Sequence, residues 1–278
     1  MDRAYSQVDV FTEKPFMGNP VAVILEAQDL SDGQMQAIAR WTNLSETTFV
    51  LPPAHVEADY RLRIFTPNSE IPFAGHPTLG SAHALLEYGL KPKKAGALVQ
   101  ECGKGLVDLR IGEGSIFLRL PEPGFNEAKA HELLFAAQSL GINRCDILNG
   151  AHVDVGPTWF TLQLASAQKV IALKPDMERI SALEGITGIT VFGPHPDGKY
   201  EVRSFAPAYG VPEDPVCGSG NGCVAALIRR KKLISVSGYT ALQGRCLGRD
   251  GQVEIEYDSA IWVGGKAAVR INGTIRSE

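Results

Sequence analysis

The segment "RIFTPNSEIP" at residues 63–72 returns as "RSFAPAYGVP" at residues 203–212, and both spell R-x-F-[TA]-P-x-x-x-[IV]-P. The offset, 140 residues from Arg63 to Arg203, is close to half of the 278-residue chain. A shorter echo, "VDV" at 8–10 and again at 153–155, has nearly the same offset. Two echoes at one spacing predict a duplicated domain. The break is expected in "LPEPGFNEAK" (120–129), where two prolines and a glycine punctuate the chain. This gives an N-terminal domain over residues 1–124 and a C-terminal one over 125–278, with the last strand, about 265–278, able to pack with the first domain.

Around the repeat the pattern has period two. Tyr60, Leu62 and Ile64 alternate with Arg61 and Arg63, and Val253, Ile255 and Tyr257 with Glu254 and Glu256. Short strands with one apolar face favour antiparallel sheets. After each copy of the motif the period changes to that of a helix. "GHPTLGSAHALLEYG" places Leu79, Ala82 and Leu86 on one face, with Pro77 suited to the first position and Gly89 to the stop. "GSGNGCVAALIRRKKL" ends in cations, which a helix C-terminus favours. A further helix is expected over 32–41, because Ser31 and Gln34 have capping-box spacing. The fold class is therefore α+β, two similar domains, each a curved antiparallel sheet around one buried helix.

Composition narrows the function. With 44% apolar and 21% charged residues, the chain has the make-up of a globular, enzyme-sized protein. A net charge of −4 with scattered Lys and Arg gives no basic stripe for nucleic acid. No run approaches the ~18 apolar residues of a membrane span, and the N-terminus lacks a leader pattern, so a cytoplasmic location is expected. Five cysteines without a CxxC pair suit reduced thiols. No nucleotide fingerprint and no His/Cys zinc spacing occurs, so neither a cofactor nor a metal is expected. The two glycine-rich helix starts, "GHPTLG" and "CGSGNG", offer free backbone N–H groups to an anion such as a substrate carboxylate. Gly75, Gly218 and Gly220 would let that ligand approach, or would only permit tight helix packing.

The motifs "GNPVAV" (18–23), "NLSETTFV" (43–50), "RIFTP" (63–67), "PFAGHPTLG" (72–80), "FAPAYGVPEDP" (205–215) and "LQG" (242–244) resemble, in order and spacing, those of the PhzF-like isomerases of phenazine biosynthesis. The resemblance covers nearly the whole chain. It implies the diaminopimelate epimerase-like fold, in which two similar domains, each a β-barrel around a central helix, clasp a small carboxylate without a cofactor, and it implies a homodimer. It also implies that Glu46 of "SET" is the acid/base, assisted by His76, Asp214 and Ser219, with Asn19, Gly75, Gly218 and Gly220 at the substrate. Taken alone, Glu46 reads as an exposed glutamate after a helix, His76 as a packed imidazole, Asp214 as a turn residue and Ser219 as a helix cap. Such a glutamate works best when desolvation lifts its pKa from ~4.3 toward neutrality. Cys217 stands where the phenazine enzymes carry threonine, in the "CGSG" context of the racemases and epimerases of the same fold. A helix N-terminus stabilises a thiolate, so Cys217 is either a second base or a small buried thiol. Three functions follow: a cofactor-independent isomerase acting through Glu46, an amino or imino acid epimerase or racemase using Glu46 and Cys217, and a binding protein for a small carboxylate.

Overall fold

The computed structural model describes residues 2–276. The chain divides into two compact units, Met1–Arg119 with Gly264–Glu278, and Leu120–Val263. The break thus follows Arg119 rather than residue 124, and the C-terminal strand belongs to the first unit.

The first unit runs β1 (Asp2–Val10), β2 (Asn19–Ile24), α1 (Asp32–Thr42), β3 (Thr47–Leu51), β4 (Tyr60–Phe65), β5 (Glu70–Ile71), α2 (Gly75–Tyr88), β6 (Ala97–Cys102), β7 (Gly105–Ile111) and β8 (Ile116–Arg119). The second runs β9 (Gly124–Glu127), α3 (Ala130–Leu140), β10 (Ile147–Asp154), β11 (Thr158–Leu164), the short α4 (Ala167–Ile171) and α5 (Met177–Ser181), β12 (Gly188–Pro194), β13 (Tyr200–Ala206), β14 (Val211–Asp214), α6 (Gly218–Lys231), β15 (Gly238–Gln243), β16 (Gly251–Tyr257) and the start of β17 (Ile261–Gly265), the strand in which the division after Val263 falls. Strand β18 (Ala267–Arg276) ends the described chain.

The duplication is plain in the strand pairing. In the first unit β1 pairs antiparallel with β2, β2 parallel with β3, β3 antiparallel with β4, β4 parallel with β6, and β6 antiparallel with β7. The strands β10, β11, β12, β13, β15 and β16 repeat that pattern pair for pair. The outer strand is repeated too, β18 on β1 and β9 on β10. Each parallel pair is joined by a helix-containing crossover, the connection a parallel pair needs. Alternation in the sequence cannot reveal these pairs, because a strand with one buried face reads the same in either direction.

Both echoes land at equivalent strands, "VDV" at the ends of β1 and β10 and the longer motif along β4–β5 and β13–β14. The motif arginine makes a two-pronged bond to a glutamate on the next strand. Arg63 Nε and Nη2 donate to Glu70 at 2.8 and 2.7 Å, and Arg203 Nε and Nη2 to Glu213 at 2.9 and 2.8 Å. Each guanidinium also lies over the motif phenylalanine, at 5.1 Å on Phe65 and 5.0 Å on Phe205. Residues two apart on a strand share a face, so the R-x-F spacing is that of a stacked pair.

Helix α2 is buried around most of its circumference, from Gly75 to Leu85 with few breaks, against β1, β2, β3, β8 and β18. Gly89 ends it with φ 104°, as a left-handed stop requires. Pro77 is the third helical residue rather than the first, still within the turn whose N–H groups have no helical acceptor. Helix α6 packs on β10, β11, β12 and β16 and is equally enclosed up to Ile228. A Cβ at Gly80 would stand 2.4 Å from Val21 Cγ1, and one at Gly222 would stand 2.7 Å from Leu120 Cδ1. These glycines let helix and sheet close. Gly80→Ala should therefore cost about 1–3 kcal/mol through overpacking. Gly33→Ala on α1, where nothing lies within 4 Å, should gain up to about 1 kcal/mol from helix propensity. Urea unfolding of both variants checks the contrast, and equal effects would refute the close approach.

Candidate active site

In the first unit three motifs meet at the start of α2. Helix α1 keeps its expected capping box, Ser31 with Gln34, and ends at Asn43 in the left-handed conformation, φ 54°. The chain then turns through Leu44–Ser45–Glu46 into β3. Thr47 Oγ1 is 2.7 Å from Thr42 Oγ1 at the end of α1, and Thr48 Oγ1 is 2.8 Å from Ser81 Oγ on α2. Thr48 also donates to the Ala22 carbonyl on β2. Glu46 is thereby fixed beside the first turn of α2, its Oε2 3.4 Å from His76 Nε2. The Glu46 side chain keeps 17% of its surface exposed and His76 only 6%.

The "GNP" turn supplies the floor under His76. Asp9 accepts the Met17 and Gly18 N–H groups at 3.1 and 3.0 Å. A Cβ at Gly18 would lie 2.1 Å from the Val10 carbonyl oxygen, so only glycine fits there. Buried Asn19 follows, then Pro20, whose carbonyl accepts a hydrogen bond from the His76 ring. That bond favours the protonated ring, but burial is stronger and lowers the His76 pKa from 6.5 to about 3. Nε2 has no hydrogen bond, so the Pro20 bond comes from Nδ1–H, and the neutral ring turns its Nε2 lone pair toward Glu46. Ala74, the N-cap of α2, offers no side-chain cap and the first turn holds no acid. The turn's free N–H groups suit an anion. Gly75 is the first residue of that turn.

In the second unit the corresponding turn is capped. Cys217 is the N-cap of α6, and its Sγ accepts the Gly220 N–H at 3.2 Å. Ser219, read from sequence as a possible cap, is instead the second helical residue. Its Oγ accepts from Trp159 Nε1 at 3.0 Å and lies 3.6 Å from Cys217 Sγ. Asp214 Oδ1 accepts the Val216 N–H at 3.1 Å. A Cβ on Gly220 would meet Ser204 Oγ at 2.6 Å, so this glycine is set by packing. Gly218 opens the helix.

The electrostatics of Cys217 run against one of its two sequence readings, the thiolate base, and agree with the other, the buried thiol. Burial pushes the thiol well up, the Asp214 charge adds to it, and the bonds from Gly220 and Ser219 do not offset them. The helix N-terminus alone predicts a lowered value, but desolvation wins. Burial also raises Asp214 from near 3.8 to about 6, against the hydrogen bonds from Cys217 and Val216.

Several buried braces were not singled out as candidate residues, although Gln243 belongs to the "LQG" motif. Trp159 holds Ser219, Ser81 holds Thr48, and two glutamines, Gln100 and Gln243, hold the helix starts. The glutamines are 143 residues apart. A comparison of polar residues at separations between those of the two echoes, 140 and 145, would have found them.

The model of the phenazine biosynthesis-like proteins matches residues 8–275. The chain belongs to this PhzF family of isomerases. It is 40% identical to antisense-enhancing sequence 1 of Schizosaccharomyces pombe, over 98% of both chains. It is 35% identical to the trans-2,3-dihydro-3-hydroxyanthranilate isomerase of Pseudomonas aeruginosa, covering 97% of this chain and 98% of that one. Among solved structures, a PhzF-family protein of Bacillus anthracis matches with a TM-score of 0.87 and 27% identity over 99% of each chain. Among the described residues no group of His, Cys, Asp and Glu has the geometry of a metal site, and no helix is long and apolar enough to cross a membrane.

The raised Asp214 value has a sign that can be tested. The folded chain holds this proton more tightly than the unfolded one, so its stabilisation is complete below about 3.8 and is lost as pH rises through about 6. Asp214→Asn fixes the neutral state. It should exceed the parent in unfolding free energy by roughly 1–2 kcal/mol near pH 7.5, and by nothing near pH 4. Denaturant titrations at both pH values read the difference, which cancels the opposite contribution of His76, lost as pH falls below 6.5.

Proposed function

We propose that the protein is a cofactor-independent isomerase that moves a proton on a small cyclic or amino carboxylate, with Glu46 as the acid/base. The observation that carries this reading is the Glu46–His76 pair, 3.4 Å apart at the uncapped start of α2. Ionised Glu46 takes a proton from a carbon activated by the substrate's conjugation. The protonated carboxyl then faces a neutral imidazole lone pair, which accepts a hydrogen bond from it and holds the proton at Oε2. Glu46 returns the proton to a different carbon, so the double bond migrates and no net charge is gained. Free N–H groups of the first turn hold the carboxylate. Asp214 and Ser219 assist in proton relay and orientation, and a pKa near 6 lets Asp214 exist in both forms near neutrality.

An epimerase with Cys217 as second base finds less support, because the buried thiol beside Asp214 holds its proton. A binding protein would need the anion site of α2 but not the glutamate–histidine pair.

The relative from Pseudomonas aeruginosa suggests the first substrate to try, trans-2,3-dihydro-3-hydroxyanthranilate, alongside proline analogues, diaminopimelate and other amino acids. Proton NMR in D2O should show double-bond migration, with deuterium entering the product only to the extent that the Glu46 carboxyl exchanges with solvent before it returns the proton. Glu46→Gln should lower turnover at least ~1,000-fold at unchanged thermal stability, and an active variant would end this reading. Cys217→Ser keeps a good N-cap and should stay within about tenfold of the parent. Loss of several orders of magnitude in that variant would restore the two-base epimerase.

A further inference from the structure

Gln243, the last residue of β15, is buried and lies outside the candidate residues above. Its Oε1 accepts the Cys217 backbone N–H at 3.2 Å and Asn221 Nδ2 at 2.8 Å, and its Nε2 donates to the Asp214 carbonyl at 2.9 Å. Asp214 and Cys217 are the first and fourth residues of the turn that joins β14 to α6. In an ordinary β-turn the first carbonyl accepts directly from the fourth N–H. Here a primary amide is inserted between those two groups, presenting an acceptor to one and a donor to the other. The turn is held open by the width of that amide, and the Asp214 carboxyl folds back onto the Val216 N–H.

The first unit also carries a buried glutamine beside its central helix, bonded there to side chains rather than to the backbone of a turn. Gln100 sits on β6, the strand equivalent to β15, and is fully buried. Its Nε2 donates to Thr78 Oγ1 in the first turn of α2 at 3.0 Å, and its Oε1 accepts the Tyr60 hydroxyl at 3.0 Å. Each unit therefore braces the start of its central helix with a buried glutamine from the neighbouring strand.

We propose that Gln243 is a positioning residue, an amide wedge that fixes the Asp214 carboxyl and the first turn of α6. Its effect on turnover rests on the role proposed above for Asp214, whereas its effect on the turn does not. Only a side chain with donor and acceptor in one plane satisfies both backbone groups. Methionine has the length and neither bond. An ionised glutamate would set an oxygen against the Asp214 carbonyl, but a protonated one restores both bonds, with O–H in place of N–H. Gln243→Glu is thus a copy of the wedge that pH switches on and off. Ionisable groups around it are Asp214 and Cys217 in the turn, Glu213 on β14, Glu201 and Arg203 on β13, which flank the Val202 that pairs with Gln243, Arg245 just beyond it, and Arg249, whose stem lies against Gly244.

The test is amide hydrogen exchange at Cys217, corrected for intrinsic rate, from about pH 5 to about pH 8 in the parent, Gln243→Glu and Gln243→Met. Exchange in Gln243→Met should be at least ~10-fold faster than in the parent at every pH, because the open turn has lost its acceptor. Gln243→Glu should match Gln243→Met at the high end and return to the parent rate at the low end. Turnover relative to the parent should follow the same curve, with kcat down about 100-fold at high pH and KM within a few-fold. A Gln243→Glu defect that is flat in pH, or parent-like exchange in Gln243→Met, would overturn the proposal. Should Gln243→Glu fail to fold, the exchange rate of Gln243→Met decides. If the parent turns over no tested substrate, the isomerase reading fails while exchange still judges the wedge.

Discussion

In each unit a single guanidinium ties together the pieces that position the central helix. Arg63 on β4 grips Glu70 on β5 with two prongs and reaches Asp32 in the first turn of α1 with Nη1, at 2.6 Å. Arg203 on β13 grips Glu213 on β14 in the same way, and its Nη1 reaches the carbonyls of Val170 and Leu173 at the end of α4, at 3.3 and 3.0 Å. The strand that leads into α2 or α6 is thereby locked to the strand before it and to the preceding crossover helix. In the second unit the lock is nearly dry, with the Arg203 and Glu213 side chains 7% and 9% exposed. Removing either partner would leave an uncompensated buried charge. Every candidate residue at a helix start, His76 in one unit and Cys217 and Ser219 in the other, lies a few residues beyond that lock.

Burial then sorts the titratable groups at those helix starts into different protonation states. His76 is kept neutral, the Cys217 thiol is kept protonated, and Asp214 is moved up to about 6. Desolvation is the largest cause in all three. Hydrogen bonds to Pro20, Gly220 and Val216 act the other way and lose. Beside Glu46, 3.4 Å from its carboxylate, stands a neutral imidazole rather than a fixed cation, an environment that suits the acid/base role proposed above.

Much of this was legible beforehand. The duplication, the capping box of α1, the stop at Gly89 and the helix after each copy of the motif follow from local chemistry, and local chemistry is what a sequence displays. The parallel pairs were hidden, because the crossovers that create them leave no mark on strand alternation. The sign of the Cys217 shift was hidden for another reason. A helix N-terminus is visible in sequence, but the desolvation that outweighs it comes from side chains distant in the chain. The braces at Ser81, Trp159, Gln100 and Gln243 join residues separated by tens of residues, and polar side chains in a strand look like its solvent face until the partner is placed.

By itself the sequence determined that the chain is two copies of one plan and which motifs stand at the two helix starts, since repeat spacing and turn chemistry are properties of short segments. The tertiary structure decided the charge state of His76, Asp214 and Cys217 and the pairing of Glu46 with His76. Those depend on how much water is excluded and on distances between segments far apart in the chain, and neither quantity exists until the chain has packed.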